Sequence, residues 1–353
     1  RDVERSRGLG DVYKRQAFPT VDDLTRSMGN VSFYYQGRII ENIRISNTVD
    51  AYAVNGWESM KLENHSGIVD NYRFPKGDPE VMARYNAPLY LAVKMNRKVV
   101  STGDTTLVDT YIVNEKNLKG SYILNLVAKD ESGNVVASHK ERVAVKGGND
   151  YGQCLQSGWA FIPKSKGYTR IEASLLKGKT ELVKGDDLLF AVELNTKGIT
   201  TRGSVADTTG ALVNFLRGVG MEVPVYKGGT PEGDYLLVGA YEPTQWGSGM
   251  SDIMEWVYKG HTLIIVDNPE RWAEFLADKE VLDYRGSKIL GKSWYGGNFF
   301  NREHPIFMNL PANSAFNWEY QCFATYNRRR IGLRCFNAVS YTHLRAHETS
   351  LHL

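Results

Sequence analysis

The chain has 353 residues, 42% of them hydrophobic and 24% charged, with a net charge of +3. That length can bury the cores of two or three domains, and the small charge, with no basic stripe interleaved with aromatics, argues against a nucleic-acid partner. No apolar run reaches the length of a membrane span. Cys154, Cys322 and Cys335 are too few and too far apart for a disulfide framework or a zinc site. Arg328, Arg329 and Arg330 form a run short enough to be a solvated or paired surface.

In chain order, Ala17 to Asn47 reads as a loop and then a helix. Thr20 is the expected cap and Asp22 and Asp23 the early acids. Ile39, Ile40, Ile43 and Ile45 lie on a rough helical stripe, which places Arg38, Glu41 and Arg44 on the outer side. Ala51 to Val54 reads as a short apolar strand that breaks at Asn55-Gly56 and presents Trp57 and Glu58 beyond its end. A helix followed by a strand with ligand-like residues at its C-terminal end is the grammar of a barrel's last unit. Trp57 offers a flat apolar platform with one N–H. Asn55 and Glu58 add the donors and acceptors that hydroxyl-rich ligands need. On these residues alone, a buried Trp beside a solvated Glu is the simpler account.

Phe74 to Pro79 is turn-rich, and Val81 to Asn86 reads as a short helix. The pattern then turns to period two. Strands are expected at Leu89–Met95, Val99–Val100, Thr106–Val113, Ser121–Ala128 and Val135–Val145, which argues an immunoglobulin-like β-sandwich over 80–146. A second β segment, 147–202, carries strands at Tyr168–Leu175 and Leu188–Leu194, with turns at Gly178 and Gly185. From 203 to 338 strands and helices alternate. An apolar helix face ends at Gly220, strands follow at Val223–Tyr226, Tyr235–Ala240 and His261–Val266, and helices at Met250–Tyr258 and after Asn268-Pro269. This argues a doubly wound, flavodoxin-like α/β domain.

Residues 1–16 and 339–353 show no helix or strand period and resemble translated sequencing adapter, over Asp11–Gln16 and Val339–Thr349 in particular. They are set aside from the fold and expected not to pack. His343 and His347 could share a helix face, a weak metal signal without further ligands.

Asp50-Ala-Tyr-Ala-Val-Asn-Gly-Trp-Glu58, Leu62-Glu-Asn-His-Ser-Gly67 and Tyr85-Asn-Ala-Pro-Leu-Tyr-Leu-Ala-Val-Lys94 resemble the end of the catalytic barrel of glycoside hydrolase family 2, the β-galactosidase, β-glucuronidase and β-mannosidase group. The α/β region, with Trp294–Phe300 and Phe316–Gln321, resembles a glutamine-amidotransferase-like C-terminal module. The resemblance implies that 17–79 is the C-terminal end of a (β/α)8 barrel. It also implies that the retaining pair of carboxylates, roughly 5 Å apart, lies upstream, so no catalytic residue is assigned here. It places Trp57 under the sugar, with Asn55 and Glu58 as neighbours. It further implies a carbohydrate substrate, no cofactor or metal, and a periplasmic or extracellular site, and leaves a homo-oligomer open.

Two rival readings remain at this stage. A working amidotransferase needs a Cys on a Gly-flanked elbow, and Cys322 sits in Tyr320-Gln-Cys-Phe-Ala324 without one. Nor does a GxGxxG follow any strand. Gly247-Ser-Gly249 could bind an anion at a helix start, though a plain turn is simpler. A non-catalytic carbohydrate-binding or assembly module could use Trp159, Trp246 and Trp294, although such aromatics are more often core.

Overall fold

The computed structural model describes residues 17–54, 56–58, 67–70, 72–194, 196–247, 249–281, 287–289, 300–303, 305–323 and 334–336. The two adapter-like ends, Asn55, 62–66, 294–299 and 328–330 therefore lie outside the described residues. The described chain is mainly β, with a few helices, and it divides into two compact units. The first takes residues up to Glu193 together with 291–331, and the second takes 194–290 with 332–353.

In the first unit, helix α1 (Val21–Ser46) begins where the sequence places it. Thr20 Oγ1 accepts from the Asp23 N–H at 3.1 Å and Asp23 returns a carboxylate to the Thr20 N–H at 3.0 Å. This reciprocal cap satisfies two donors the helix cannot bond itself. Asn47, in the left-handed region, ends the helix. Helix α2 (Pro79–Tyr85) follows, capped by Asp78.

Eight strands come next: β1 (Leu89–Met95), β2 (Val99–Ser101), β3 (Thr106–Asn114), β4 (Gly120–Lys129), β5 (Val135–Val145), β6 (Gly152–Phe161), β7 (Gly167–Lys177) and β8 (Thr180–Val192). They form two sheets, ordered β1-β3-β6 and β2-β8-β7-β4-β5. One apolar cluster fills the space between them, with Leu91, Val93, Ile112, Leu124, Leu126, Ile171 and Leu189 among its members. Because side chains alternate along a strand, the other face of β1 and β3 presents Tyr90, Ala92 and Val113. These meet Phe33 and Ile40 of α1 and Met82 and Tyr85 of α2 in a second cluster.

Several expectations change here. The segments parted at 147 share both sheets, so they form one sandwich rather than two β regions. β6, whose sequence lacks a strand's alternation and which is not among the expected strands, pairs with β3 through register shifts near Thr110. Gly185 is not a turn. It lies inside β8, where a Cβ would overlap the Leu91 carbonyl of the facing sheet. The charged side of α1 also faces inward. Glu41 and Arg44 are buried whereas Ile39 is exposed, because the charges find partners on β1, β8 and after α2.

The first unit also takes back a late piece of chain. Strands β13 (Phe300–Asn301) and β14 (Ser314–Ala315) pair, and a 3-10 turn follows at Trp318–Phe323. Ala315 donates to Ser27 of α1 at 2.9 Å, and the Phe18 and Phe300 rings meet edge to face at 5.2 Å. The expected α/β span of 203–338 therefore loses residues 300–323 to the sandwich body.

The second unit holds β9 (Gly203–Ala206), α3 (Ala211–Gly218), β10 (Tyr235–Val238), α4 (Gly249–Tyr258), β11 (Thr262–Ile265) and α5 (Pro269–Asp278). The three strands are parallel, in the order β11-β10-β9. Ala206, Leu236 and Val238 pack with Ile253, Trp256 and Trp272 in one core. Val223 to Tyr226 supplies only a bridge, Val225 to Val205, rather than a strand. β11 is half exposed. Asn268 precedes α5 in the left-handed region and makes no side-chain cap. β12 (Ser287–Ile289) pairs with β15 (Arg334–Phe336).

Candidate functional site

The stretch that carries the sugar-site expectation is a loop between α1 and α2. Ala51 to Val54 are exposed and outside every sheet of the described residues. The expected barrel strand is thus not formed, since a strand exists only against a neighbour that completes its ladder. Gly56 then adopts a positive φ of 80°, which a glycine accepts at no steric cost.

Beyond it the backbone is tied. The Trp57 carbonyl accepts from the Ile68 and Val69 N–H groups at 2.9 and 3.1 Å, and Lys76 N–H donates to the Ile68 carbonyl at 3.1 Å. Asp70 closes the following turn by accepting from the Tyr72 and Phe74 N–H groups at 2.8 and 2.9 Å. The loop leaves the Trp57 side chain 63% exposed, with Tyr72 at 83% and Phe74 at 68%. The buried-Trp account therefore fails. Glu58 is held by Arg73, Oε1 to Nε at 2.8 Å. Tyr52 donates to Asn86 at 2.7 Å. A tied loop with several exposed rings and one fixed carboxylate can stack on an apolar ligand face and accept from its hydroxyls. Whether Asn55 joins it lies outside the described residues.

A second concentration of chemistry, which the sequence reading did not find, sits where α1 meets the sandwich. Glu41, fully buried, accepts from Tyr90 OH at 2.7 Å and pairs with Arg38 at 3.0 Å and Lys94 at 3.1 Å. Asp187 of β8 pairs with Arg38 at 3.3 Å and Lys98 at 2.5 Å. Lys98 Nζ lies 4.2 Å from the Trp318 ring centre and 4.8 Å from that of Tyr34, in cation–π range. Burial pushes the Lys98 ammonium down to about 8, against the pull of Asp187. Nearby, burial pushes the Glu319 carboxyl up, partly offset by the 2.7 Å hydrogen bond from Tyr168 OH and by the Lys98 charge. Partners from about fifty to more than two hundred residues apart leave no periodic trace. The sole local sign is the Arg38–Glu41 spacing of three on one helix.

The rival sites fare differently. Trp246 is core in the second unit, against Trp272 and Tyr241, and Trp159 is half-buried against the sandwich core. Trp294 and Ser248 lie outside the described residues. Among the described residues no group of His, Cys, Asp and Glu is placed to hold a metal, and no helix is long and apolar enough to cross a membrane.

No family model matches the chain, and no curated protein matches it. Among solved structures it is similar to a β-glucuronidase from glycoside hydrolase family 2. That pair is 15% identical over 29% of this chain and 11% of the other, with a TM-score of 0.23. A family 2 glycosyl hydrolase from Bacteroides cellulosilyticus is 12% identical over 54% of this chain and 29% of its own, with a TM-score of 0.24. A CARDB domain from Pyrococcus furiosus, solved with two metal ions, is 14% identical over 30% of this chain and 87% of its own, with a TM-score of 0.22. The chain thus spans less than a third of either family 2 structure, and likenesses of this size do not bear on activity.

Proposed function

We propose that this chain is the C-terminal part of a retaining β-glycoside hydrolase acting on β-linked oligo- or polysaccharides, with Trp57 beneath a bound sugar ring. The observation that carries the reading is the exposure of Trp57 on a loop whose backbone is tied through the Trp57 carbonyl to Ile68 and Val69. It occurs in the stretch whose sequence resembles the family's barrel end. A core Trp would be enclosed, whereas a platform must be open. The two carboxylates of the double displacement belong upstream. Glu58 is not read as one of them, because the resemblance puts both upstream of this barrel end; its pair with Arg73 is an exposed one on its own loop. The parallel α/β unit is read as an amidotransferase-like module without chemistry of its own.

The test is expression of the chain alone and joined to its upstream coding sequence. The chain alone hydrolyses no chromogenic β-galactoside, β-glucuronide or β-mannoside. The joined protein hydrolyses one of them with retention at the anomeric carbon. Turnover by the chain alone, lost in Glu58→Gln, or inversion by the joined protein, overturns the reading.

A further inference from the structure

The second unit has a cavity of about 510 Å³ between the start of α4 and the end of α5. Met250 and Met254, one turn apart on α4, line it together with Phe275 and Leu276 of α5, and Pro243 and Val281 complete the apolar lining. These walls are rooted in the unit's core. Met250 belongs to the buried cluster, and Met254 and Phe275 pack against it. Two bonds fasten the chain before α4 to α5: Arg271 donates to Glu242 at 2.7 Å, and the Trp272 indole N–H donates to the Tyr241 carbonyl at 3.1 Å. The volume falls within the roughly 300–1,000 Å³ of small-molecule sites, and methionine walls adjust to flexible apolar shapes.

One charge borders this apolar space. Lys279 is exposed, and its Nζ lies 5.9 Å from the centre of the Phe275 ring, one turn back on the same face of α5. Among the described residues no carboxylate pairs with it, and none lines the cavity. An ammonium held over an aromatic wall without a counter-ion is open to an anion from outside, and the Thr244 and Ser251 hydroxyls in the lining can donate to the same group. A ligand cation would meet repulsion and find no opposing charge. A polyanion would have to shed water against Met and Phe walls with one cation to offset the cost. We propose that the cavity binds an amphipathic monocarboxylate of the short fatty-acid class, its alkyl chain between α4 and α5 and its carboxylate at Lys279. The site shares no residue with the Trp57 loop and does not rest on the glycosidase reading.

The experiment is an NMR titration of the full chain, labelled at its methionine methyls, with octanoate, octanol and octylammonium. Met250→Leu and Met254→Leu assign the two signals. Octanoate should shift both saturably and leave those of Met82 and Met95, in the first unit, in place. Octanol should bind about three- to fivefold more weakly, the scale of one exposed ion pair. Lys279→Met should bring octanoate down to the octanol level and leave octanol within about twofold. Lys279→Glu should place octylammonium ahead of octanoate. Lys279 is exposed, so both variants should fold. No saturable shift of Met250 or Met254 overturns the proposal. So does equal binding of octanoate and octanol by wild type, which would leave an apolar hollow that ignores charge, or octanoate binding that Lys279→Met does not change. Equal shifts of Met82 and Met95 would mean adsorption over the whole surface and overturn it too. None of these outcomes bears on the glycosidase reading, which is tested by turnover of chromogenic glycosides.

Discussion

Glu41→Ala tests the buried join between α1 and the sandwich. The Glu41 carboxylate has no exposed surface and serves three partners: Arg38 at 3.0 Å, Lys94 at 3.1 Å and Tyr90 OH at 2.7 Å. Removing it strands two cations and a hydroxyl in a poorly solvated place, and breaking a buried pair in this way costs roughly 3–5 kcal/mol. The cations are not wholly abandoned, because Arg38 keeps Asp187 at 3.3 Å and Lys94 keeps Asn42 Oδ1 at 2.5 Å. The expected loss is therefore at the low end, about 3 kcal/mol. Glu41→Gln keeps the shape and the bond from Tyr90, and should lose about half as much. A chain of two units does not unfold in one step, so the measurement is hydrogen exchange of the β1 and β3 amides under increasing urea. A loss below about 0.5 kcal/mol for Glu41→Ala, the size of an ordinary surface change, would refute the claim that this carboxylate holds α1 in place.

Two further outcomes follow from the same body. Lys98 has a folded pKa of about 8 against an ordinary 10.5. Between those values the unfolded chain holds a proton that the native chain does not, so stability rises with pH. The difference between wild type and Lys98→Met should grow in favour of wild type by up to about 3 kcal/mol from pH 8 to 10.5. Tyr34, beside Lys98, is pushed up by burial and acts with the opposite sign above its ordinary 10.0, but the difference cancels it. A flat difference in the first unit's own urea transition across that range contradicts the assignment. Gly185→Ala sets a methyl against the Leu91 carbonyl of the facing sheet and should cost about 1–3 kcal/mol by overpacking. A neutral result by the same melts would mean the sheets can part there.

What the sequence made legible was periodic. The apolar, β-branched runs Thr106–Val113 and Ser121–Ala128, set off by turn residues, announce two sandwich strands, and Thr20 with Asp23 announces a helix start to the residue. The passages that misled lack a local signal. β6, Gly-Gln-Cys-Leu-Gln-Ser-Gly-Trp-Ala-Phe, breaks alternation with polar residues and pairs through register shifts. Gly185 looks like a turn because the reason for a glycine, the Leu91 carbonyl, is on a strand nearly a hundred residues earlier. The stripe of Ile on α1 suggested an inward face. The face that packs instead includes Glu41 and Arg44, whose partners come from far along the chain. Residues 300–323 sit in an α/β-like context by order yet pack on α1, a choice only tertiary contacts make. For the candidate site, the sequence supplied the residue types of Trp57 and Glu58. Their exposure, the Arg73 ion pair and the absence of a strand at Ala51–Val54 came from the fold.

The account's central claim is that Trp57 is open in order to carry a sugar, and paired kinetics and urea melts of Trp57→Ala in the joined protein test it most directly. With 63% of its surface already exposed, the side chain should lose about 1–2 kcal/mol of stability, against the roughly 3–5 kcal/mol of a core Trp. The specificity constant kcat/KM should fall by about 1–3 kcal/mol of transition-state binding, the scale of one lost aromatic contact. Unchanged kinetics with a stability loss of core size would make Trp57 a structural residue and remove the basis of the proposed site.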